Sequence, residues 1–488
     1  MNPSRFKALP YLRRRKLLGL LASGATLPSL SGCADIVKGT HELEIRQNRE
    51  AADVFITADR AGPVATIGPD FVGFSYEKSA LSRSFFTGSN KRLISLFRRL
   101  GPGILRLGGN SVDRTSWSAD NTDPAEHLIL PSNVDALGEF LRATDWKVLY
   151  GLNFASNTNA RLVDEASYAT HSLGSRIYAF EVGNEPDEYS VNGLRPSSFT
   201  YHDFISEWAA YAKALRKRLP AAVLTGPASA WHEDSWTVPF AADEGNCISQ
   251  LTQHYYRGNG QSPSSTLALL LAGDPALPGL LRQLQSAAQS YRIPAGYRLT
   301  EANSFYYGGA PNVSNTFGSA LWAIEFLFLN ALYGSAGVNF HGGGSAPGYT
   351  PIADNDRRLL QIRPLYYGML LFSMIGPGEL LRTKVNSNGI ALTAYAVVNH
   401  SKMSVLILNK DATTSAVTKI ALGVDATTAT IHTLAAPSLN NTTGVTLNGA
   451  PIGPDDSGAS APDTVHVTKG HLSLVIQPTS AILVSVND

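Results

Sequence analysis

A (β/α)8 barrel of the TIM type, followed by a C-terminal antiparallel β-sandwich, is the α/β architecture this sequence predicts. Three observations predict it. Eight short apolar runs alternate with helix-patterned stretches over roughly 280 residues, as a closed parallel barrel requires. After about residue 378 Val, Thr, Ala, Ser and Asn dominate and helical periodicity stops. Polar groups, two glutamates among them, close successive apolar runs at the same end, where the functional rim of such a barrel lies.

The eight strand candidates are residues 71–76, 104–108, 147–153, 178–183, 222–226, 251–256, 297–300 and 337–341. Between them, residues 90–100 carry Leu93, Ile94, Leu96, Phe97 and Leu100 at helical spacing. Ser132 is a capping residue for a helix through Leu137 and Leu141. Residues 201–219 form an amphipathic helix with Lys213, Arg216, Lys217 and Arg218 near its negative pole, stopped by Leu219-Pro220. Residues 314–334 read as another long helix. No glycine-rich phosphate fingerprint follows the first strand, which ranks an open doubly wound sheet lower. In the C-terminal part, 390–398, 404–408, 428–434 and 480–486 read as antiparallel strands, with turns at Asn448-Gly449 and 454–458. Val54, Ile56 and Ala58 alternate, so a strand near 53–58 is expected to complete the sandwich. The expected domains are therefore residues 1–33, 34–69, 70–377 and 378–488.

Residues 1–33 read as a targeting segment. Arg13-Arg14-Arg15-Lys16 precede an apolar run, 17–30, that is short and broken by Gly, Ser and Pro28. The run closes on Leu30-Ser31-Gly32-Cys33, similar to a bacterial lipobox, which would make Cys33 the lipid-modified first residue of an exported, envelope-anchored protein. Sec and twin-arginine export both fit, as does an ordinary signal peptide cut elsewhere. The other cysteine is Cys247, so a lipidated Cys33 leaves no intramolecular disulfide. Across 488 residues the net charge is +1, with no basic block beyond the N-terminus, which argues against nucleic acid as a partner.

The chemistry centres on residues 178–186, YAFEVGNEP, where an apolar strand stops at Asn184-Glu185-Pro186. Residues 297–304, YRLTEANS, put Glu301 in the corresponding place. Two carboxylates on one rim are what glycoside hydrolysis by acid/base chemistry needs. Glu77 follows the first strand and Asn110 the second; His254 and Tyr256 lie two apart and so share a side; Gly308-Gly309 offer unobstructed amides. Each alone has a structural reading; together they share one face. Glu181 lies inside its strand and is expected to pair with a basic core group, while Asp187 and Glu188 are expected to be solvated. His254 and His341 lack a third metal partner, and Asp354 and Asp356 read as a solvated loop rather than a calcium site.

These motifs, FVGFSYEKS (71–79), LRLGGNSVD (105–113), FEVGNEPD (180–187), HYY (254–256) and LTEANS (299–304), resemble glycoside hydrolase family 79 of clan A, the family of β-glucuronidases and heparanase. The resemblance covers about residues 50 to 488. It implies Glu185 as general acid/base and Glu301 as nucleophile. It implies Asn184 on the sugar 2-hydroxyl, and His254 and Tyr256 orienting Glu301, with Tyr255 in place of Tyr256 if the register slips by one. Glu77 would accept from a ring hydroxyl and Asn110 would touch the sugar. Tyr306, Gly308, Gly309 and Tyr349 would hold the uronate carboxylate. No cofactor and no metal are implied. A retaining mechanism follows, with the carboxyls ~5 to 5.5 Å apart and the Glu185 pKa raised by Glu301 and burial. Exo-acting β-glucuronidase, endo-acting heparanase-like hydrolase, neutral-sugar β-glycosidase and non-catalytic glycan-binding lipoprotein are the readings this leaves.

Overall fold

The computed structural model describes residues 51–487, except 122, 124, 346–347, 356–357, 401, 424–425 and 454–459. The targeting segment with Cys33, Asp356 and the 454–458 turn therefore lie outside the described residues. Strand β1 (Ala51–Ile67) precedes eight parallel strands: β2 (Val72–Glu77), β3 (Ile104–Gly108), β4 (Lys147–Leu152), β5 (Ile177–Val182), β6 (Leu224–Ser229), β7 (Gln250–Tyr256), β8 (Tyr297–Asn303) and β9 (Val338–His341). They pair in chain order, and β9 closes onto β2. Each of the eight expected strands is present. The fifth sits two residues later than its pattern suggested, and β8 runs past Glu301 to Asn303.

Helices fill the crossovers: α1 (Lys91–Arg99), α2 (Pro131–Thr144), α3 (Asn159–Leu173), α4 (Tyr201–Arg218), α5 (Leu277–Ser290) and α6 (Phe317–Leu332), then α7 (Pro364–Ser373). Asn90 caps α1, its side chain accepting from the Leu93 N–H. Ser132 does not cap α2: Pro131 is its first residue, Leu130 takes the cap position, and the Asn133 side chain accepts the Leu130 N–H at 2.9 Å. Helices α6 and α7 are apolar on nearly every side, and both are buried almost throughout, because they lie between the barrel and a second layer.

That layer is built from β10 (Gly378–Asn386), β11 (Leu392–Asn399), β12 (Lys402–Asn409), β13 (Ser415–Ala421), β14 (Thr428–Ala435), β15 (Thr446–Leu447), β16 (Asp463–His466), β17 (His471–Ile476) and β18 (Ser480–Asn487). With β1 they form a single ten-stranded sheet, in the order β15-β14-β18-β12-β11-β10-β1-β13-β17, with β16 on β14. Every pairing is antiparallel except β1 with β13. The strands of the expected sandwich are hydrogen-bonded into one continuous sheet around a core of their own, which β1 joins through Val54 and Ile56 as an interior strand. In β12, Val405 and Ile407 enter a core internal to the sheet, while Leu406 and Leu408 join the barrel's core. Period-two alternation serves two hydrophobic layers, so both faces are buried. Phe328 of α6 stacks on Tyr395 of β11 at 4.0 Å, and Lys410 pairs with Glu325 at 2.7 Å, tying sheet to barrel.

Candidate active site

The site starts from an arginine inside a barrel strand. Arg106 alternates with Leu105 and Leu107 on β3, so its side chain points into the barrel lumen, where it is fully buried. A buried guanidinium persists only if its donors are met. Nε donates to Glu181 at 2.6 Å, Nη1 to Glu301 at 2.7 Å and Ser75 at 3.1 Å, and Nη2 to the Asn184 carbonyl oxygen at 2.9 Å. The paired glycines of LRLGG follow from this. A Cβ on Gly108 would meet the Arg106 guanidinium at 2.7 Å, and one on Gly109 would meet the Glu77 carboxyl at 2.6 Å.

Glu301 sits within β8, not at its end. The pairing to β7 shifts register between Leu299 and Glu301, a local irregularity of the kind that re-aims a side chain at a site. Its second oxygen accepts the Tyr256 hydroxyl at 2.8 Å, and His341 Nδ1 lies 3.5 Å from the first. Burial alone would raise its pKa. The charges of His341, His254 and Arg106 and the Tyr256 hydrogen bond outweigh that and hold Glu301 below the usual carboxylate range. Burial, and after it the Arg106 charge, lower the pKa of His254 to about 4 and keep it neutral near neutral pH.

Glu185 is placed differently. The chain turns sharply after β5, and Glu185 takes a left-handed backbone conformation, φ 51° and ψ 56°, with its N–H donating to the Ala228 carbonyl at 2.9 Å. Such a conformation costs a non-glycine residue ~1 to 2 kcal/mol and is found where geometry matters more than local stability. Its pKa is raised well above the carboxylate range, by burial first, then by the charges of Glu301 and Asp187, with Arg106 and His341 opposing. An oxygen of Glu185 and an oxygen of Glu301 lie within 4.8 Å of each other, so the two side chains lean over one point.

The structure places the other expected residues as follows. Asn184 is buried; Arg106 fixes its oxygen, so its amide nitrogen faces Asn110 Oδ1 at 3.5 Å and the cavity. Asn110 is exposed at the rim. Glu77 accepts the Ser111 N–H at 2.7 Å and stands 3.8 Å from His341. Tyr256 holds Glu301, and Tyr255 points instead to Asp274, at 2.9 Å. His254 is a correction: its Nδ1 bonds Glu185 at 3.0 Å, not Glu301. Gly308, at φ +81°, faces open space in a cleft of about 330 Å³ that Glu77, His341 and Tyr349 also line. Gly309 is packed behind it, where a Cβ would meet Ser314 and the Tyr349 amide at 2.8 Å. Among the described residues the ring contacts of Tyr306 are with Trp231, Tyr256 and Tyr307, none with Tyr349.

One further expectation holds and two need revision. Glu181 does pair with a core cation, Arg106, and so helps hold the guanidinium that bonds Glu301. Asp187 is not solvated: its carboxylate accepts N–H groups from Ala230, Trp231 and His232. Asp354 is buried rather than part of a solvated loop. Arg106, Asp113 and His341 were not among the expected site residues. Asp113 accepts N–H groups from Phe154, Ala155 and Asn184 and the Tyr189 hydroxyl, which fixes the turn bearing Asn184 and Glu185. An arginine at an inward position of an apolar strand was the available signal for Arg106.

Among the described residues, two groups of side chains are close enough to converge on a cation: Glu185 with His254 and Glu301, and Asp187 with Glu188 and His232. At the first, a cation would compete with Arg106 for Glu301 and would strip the proton from Glu185. The donor set suits proton transfer better than metal binding.

No protein family model matches the chain. A β-glucuronidase of Aspergillus niger is 26% identical over 339 residues, 62% of this chain and 60% of that protein, so the match spans under two thirds of the relative. Mouse heparanase is 26% identical over 394 residues, 65% of this chain and 70% of its own. The crystal structure of a 4-O-α-L-rhamnosyl-β-D-glucuronidase from Fusarium oxysporum superposes with a TM-score of 0.73 at 19% identity, covering 89% of this chain and 99% of that one, which speaks to the fold. In its motifs and by these likenesses, the chain is similar to the β-glucuronidases and heparanases, the members of glycoside hydrolase family 79 that its sequence resembles.

Proposed function

We propose that the protein is a retaining β-glucuronidase that removes terminal β-linked glucuronic acid from a glycan or glycoconjugate. The observation that carries this reading is the glutamate pair. The two carboxylates approach within 4.8 Å and prefer opposite protonation states. Oxygens within that reach of each other fit the closely set pair of a retaining enzyme, whose carboxyls stand ~5 to 5.5 Å apart, one acting as nucleophile and the other as acid.

Glu185 donates its proton to the glycosidic oxygen as Glu301 attacks the anomeric carbon. The covalent ester removes the negative charge of Glu301, the second contribution to the raised Glu185 pKa. Glu185, left ionised by its proton donation and now facing no charge on Glu301, takes a proton from water as the water oxygen bonds to the anomeric carbon; the bond from that carbon to Glu301 breaks, which releases the sugar and restores both carboxyl groups. Asn184, oriented by Arg106, donates to the 2-hydroxyl. Glu77, at the far side of the cleft, accepts from a ring hydroxyl. The Gly308 amide and the Tyr349 hydroxyl are the candidates for the uronate carboxylate, and such backbone and hydroxyl donors bind an anion without a full counter-charge.

Hydrolysis of 4-nitrophenyl β-glucuronide beside the matching β-glucoside tests this, with Glu185→Gln and Glu301→Gln as controls. Turnover of the glucuronide alone supports the proposal; equal turnover of the glucoside makes the protein a neutral-sugar glycosidase. Export and envelope anchoring through Cys33 belong to the same proposal, supported by the run from Leu30 to Cys33. If they hold, Cys33→Ser moves the protein from the membrane fraction to the soluble one.

A further inference from the structure

The side of the site where the leaving group departs carries residues that the hydrolysis itself does not use. Glu185 protonates the leaving oxygen, so the leaving group lies toward the wall Glu185 shares with β6 and β7, across the barrel from Glu77 on β2 and His341 on β9. On that wall Trp231, 40% exposed, meets Tyr306 edge-on with ring centroids 5.4 Å apart. Tyr306 meets Tyr307, 68% exposed, at 4.8 Å. The same Tyr306 ring lies 6.4 Å from Tyr256, which holds the nucleophile. Three aromatic rings thus lead outward from the reacting centre, two of them open to solvent. Large exposed aromatics gathered beside a cleft mark a binding surface.

The shelf is fixed in place and bordered by acids. Asp187, two residues from the acid/base, accepts the N–H groups of Ala230, Trp231 and His232 at 2.9 to 3.2 Å, which locks the Trp231 loop to the Glu185 turn. Glu188, Glu233 and Asp234 stand around it, and the Glu188 charge reaches Tyr306. The basic side chains nearby have acidic partners: His232 lies 3.5 Å from Glu188, Arg257 3.8 Å from Asp274, and Arg195 2.9 Å from Glu207. We propose that this shelf is the leaving-group subsite, that it takes a flat ring face without negative charge, and that its acidic border turns away sulfated or uronate-bearing leaving groups. The inference rests on the β-glucuronidase reading and narrows its substrate to glucuronides with a neutral ring next to the scissile bond.

The test compares kcat/KM for three β-glucuronides: of 4-nitrophenol, of galactose, and of 6-O-sulfated N-acetylglucosamine. Both neutral compounds are expected to be cleaved more than about 10-fold better than the sulfated one, since like charge at a binding surface discriminates strongly. Glu188→Gln with Glu233→Gln, or added salt, narrows that gap. Trp231→Ala lowers the neutral rates about 2- to 10-fold, mainly through KM, the range of one aromatic contact. Whether the aryl or the galactosyl compound loses more tells which ring the shelf serves. A sulfated compound cleaved as well as the neutral ones, or a gap indifferent to both glutamates and salt, overturns the proposal. If none of the three is hydrolysed, the reading of function fails. Calorimetric binding of the same compounds then decides the shelf separately: neutral preference supports it, and parity overturns it.

Discussion

Glu301 and Glu185 are the same residue on the same rim, yet their surroundings make them chemical opposites. The Glu301 wall is cationic and saturated with donors: Arg106 and the Tyr256 hydroxyl bond it directly, and His341 stands beside it. The Glu185 wall is anionic and poor in donors: Asp187 and Glu188 flank it, a neutral His254 is its hydrogen-bond partner, and its backbone is held in a left-handed conformation. Around Arg106 one positive charge already faces the negative charges of Glu181 and Glu301. A third carboxylate there stays protonated, because ionising it adds like charge to a buried cluster. The proposed division into acid and nucleophile is therefore a property of the two walls, and of Arg106 above all.

The comparison breaks first at the glutamates themselves. Glu301→Gln is expected to lower kcat/KM on 4-nitrophenyl β-glucuronide by ~10⁴-fold or more, at or beyond the upper range for one positioned group. Glu185→Gln costs less on that substrate, because nitrophenolate leaves without a proton, and more as the leaving group becomes more basic. Rates across a series of phenols of rising pKa check this. Equal losses at every pKa would mean the roles are not divided this way.

Arg106→Met comes next. It leaves Glu181 buried without a counter-charge, its remaining partner the Thr300 hydroxyl at 3.2 Å, and unfolding in urea is expected to show a loss of roughly 3 to 5 kcal/mol. Adding Glu181→Met restores much of that stability but not activity, since Glu301 and Asn184 have still lost their donor. Recovery of both together would reduce Arg106 to a structural ion pair. Tyr256→Phe removes one hydrogen bond to an ionised group, worth about 1.5 to 3 kcal/mol, and so about 10- to 100-fold in kcat/KM. The acid limb of its pH profile moves up, because the Glu301 pKa is less depressed.

What was legible in the sequence was periodic or local. Apolar runs bounded by turns located the barrel strands, since a strand buried on both faces must be apolar nearly throughout. Strand ends located Glu185, and position two apart put His254 and Tyr256 on one side. Bonds between distant segments were not legible. Arg106 is 75 residues from Glu181 and 195 from Glu301, and only closure of the barrel brings them together. The partner of His254 was misread for the same reason: period two gives a side, not which of two carboxylates 116 residues apart lies within reach. Asp187 looked solvated because its partners are backbone amides 43 to 45 residues ahead, and amides carry no sequence signature.

Asp187 also gives the smallest and most diagnostic effect. Activity requires Glu301 ionised and Glu185 protonated, so the profile rises as pH passes the depressed pKa of Glu301 and falls as it passes the raised pKa of Glu185. The charges facing Glu185 are those of Glu301, Asp187, Arg106 and His341, and Asp187 is the one of these that touches neither Glu301 nor its bonded partners. Asp187→Asn keeps an oxygen to accept the loop N–H groups and removes the charge. The Glu185 pKa then falls, and the alkaline limb of kcat/KM moves to lower pH while the acid limb stays. A carboxyl held up by burial alone, the first cause of its raised pKa, would leave both limbs in place, and the anionic wall would then have no part in keeping the acid protonated.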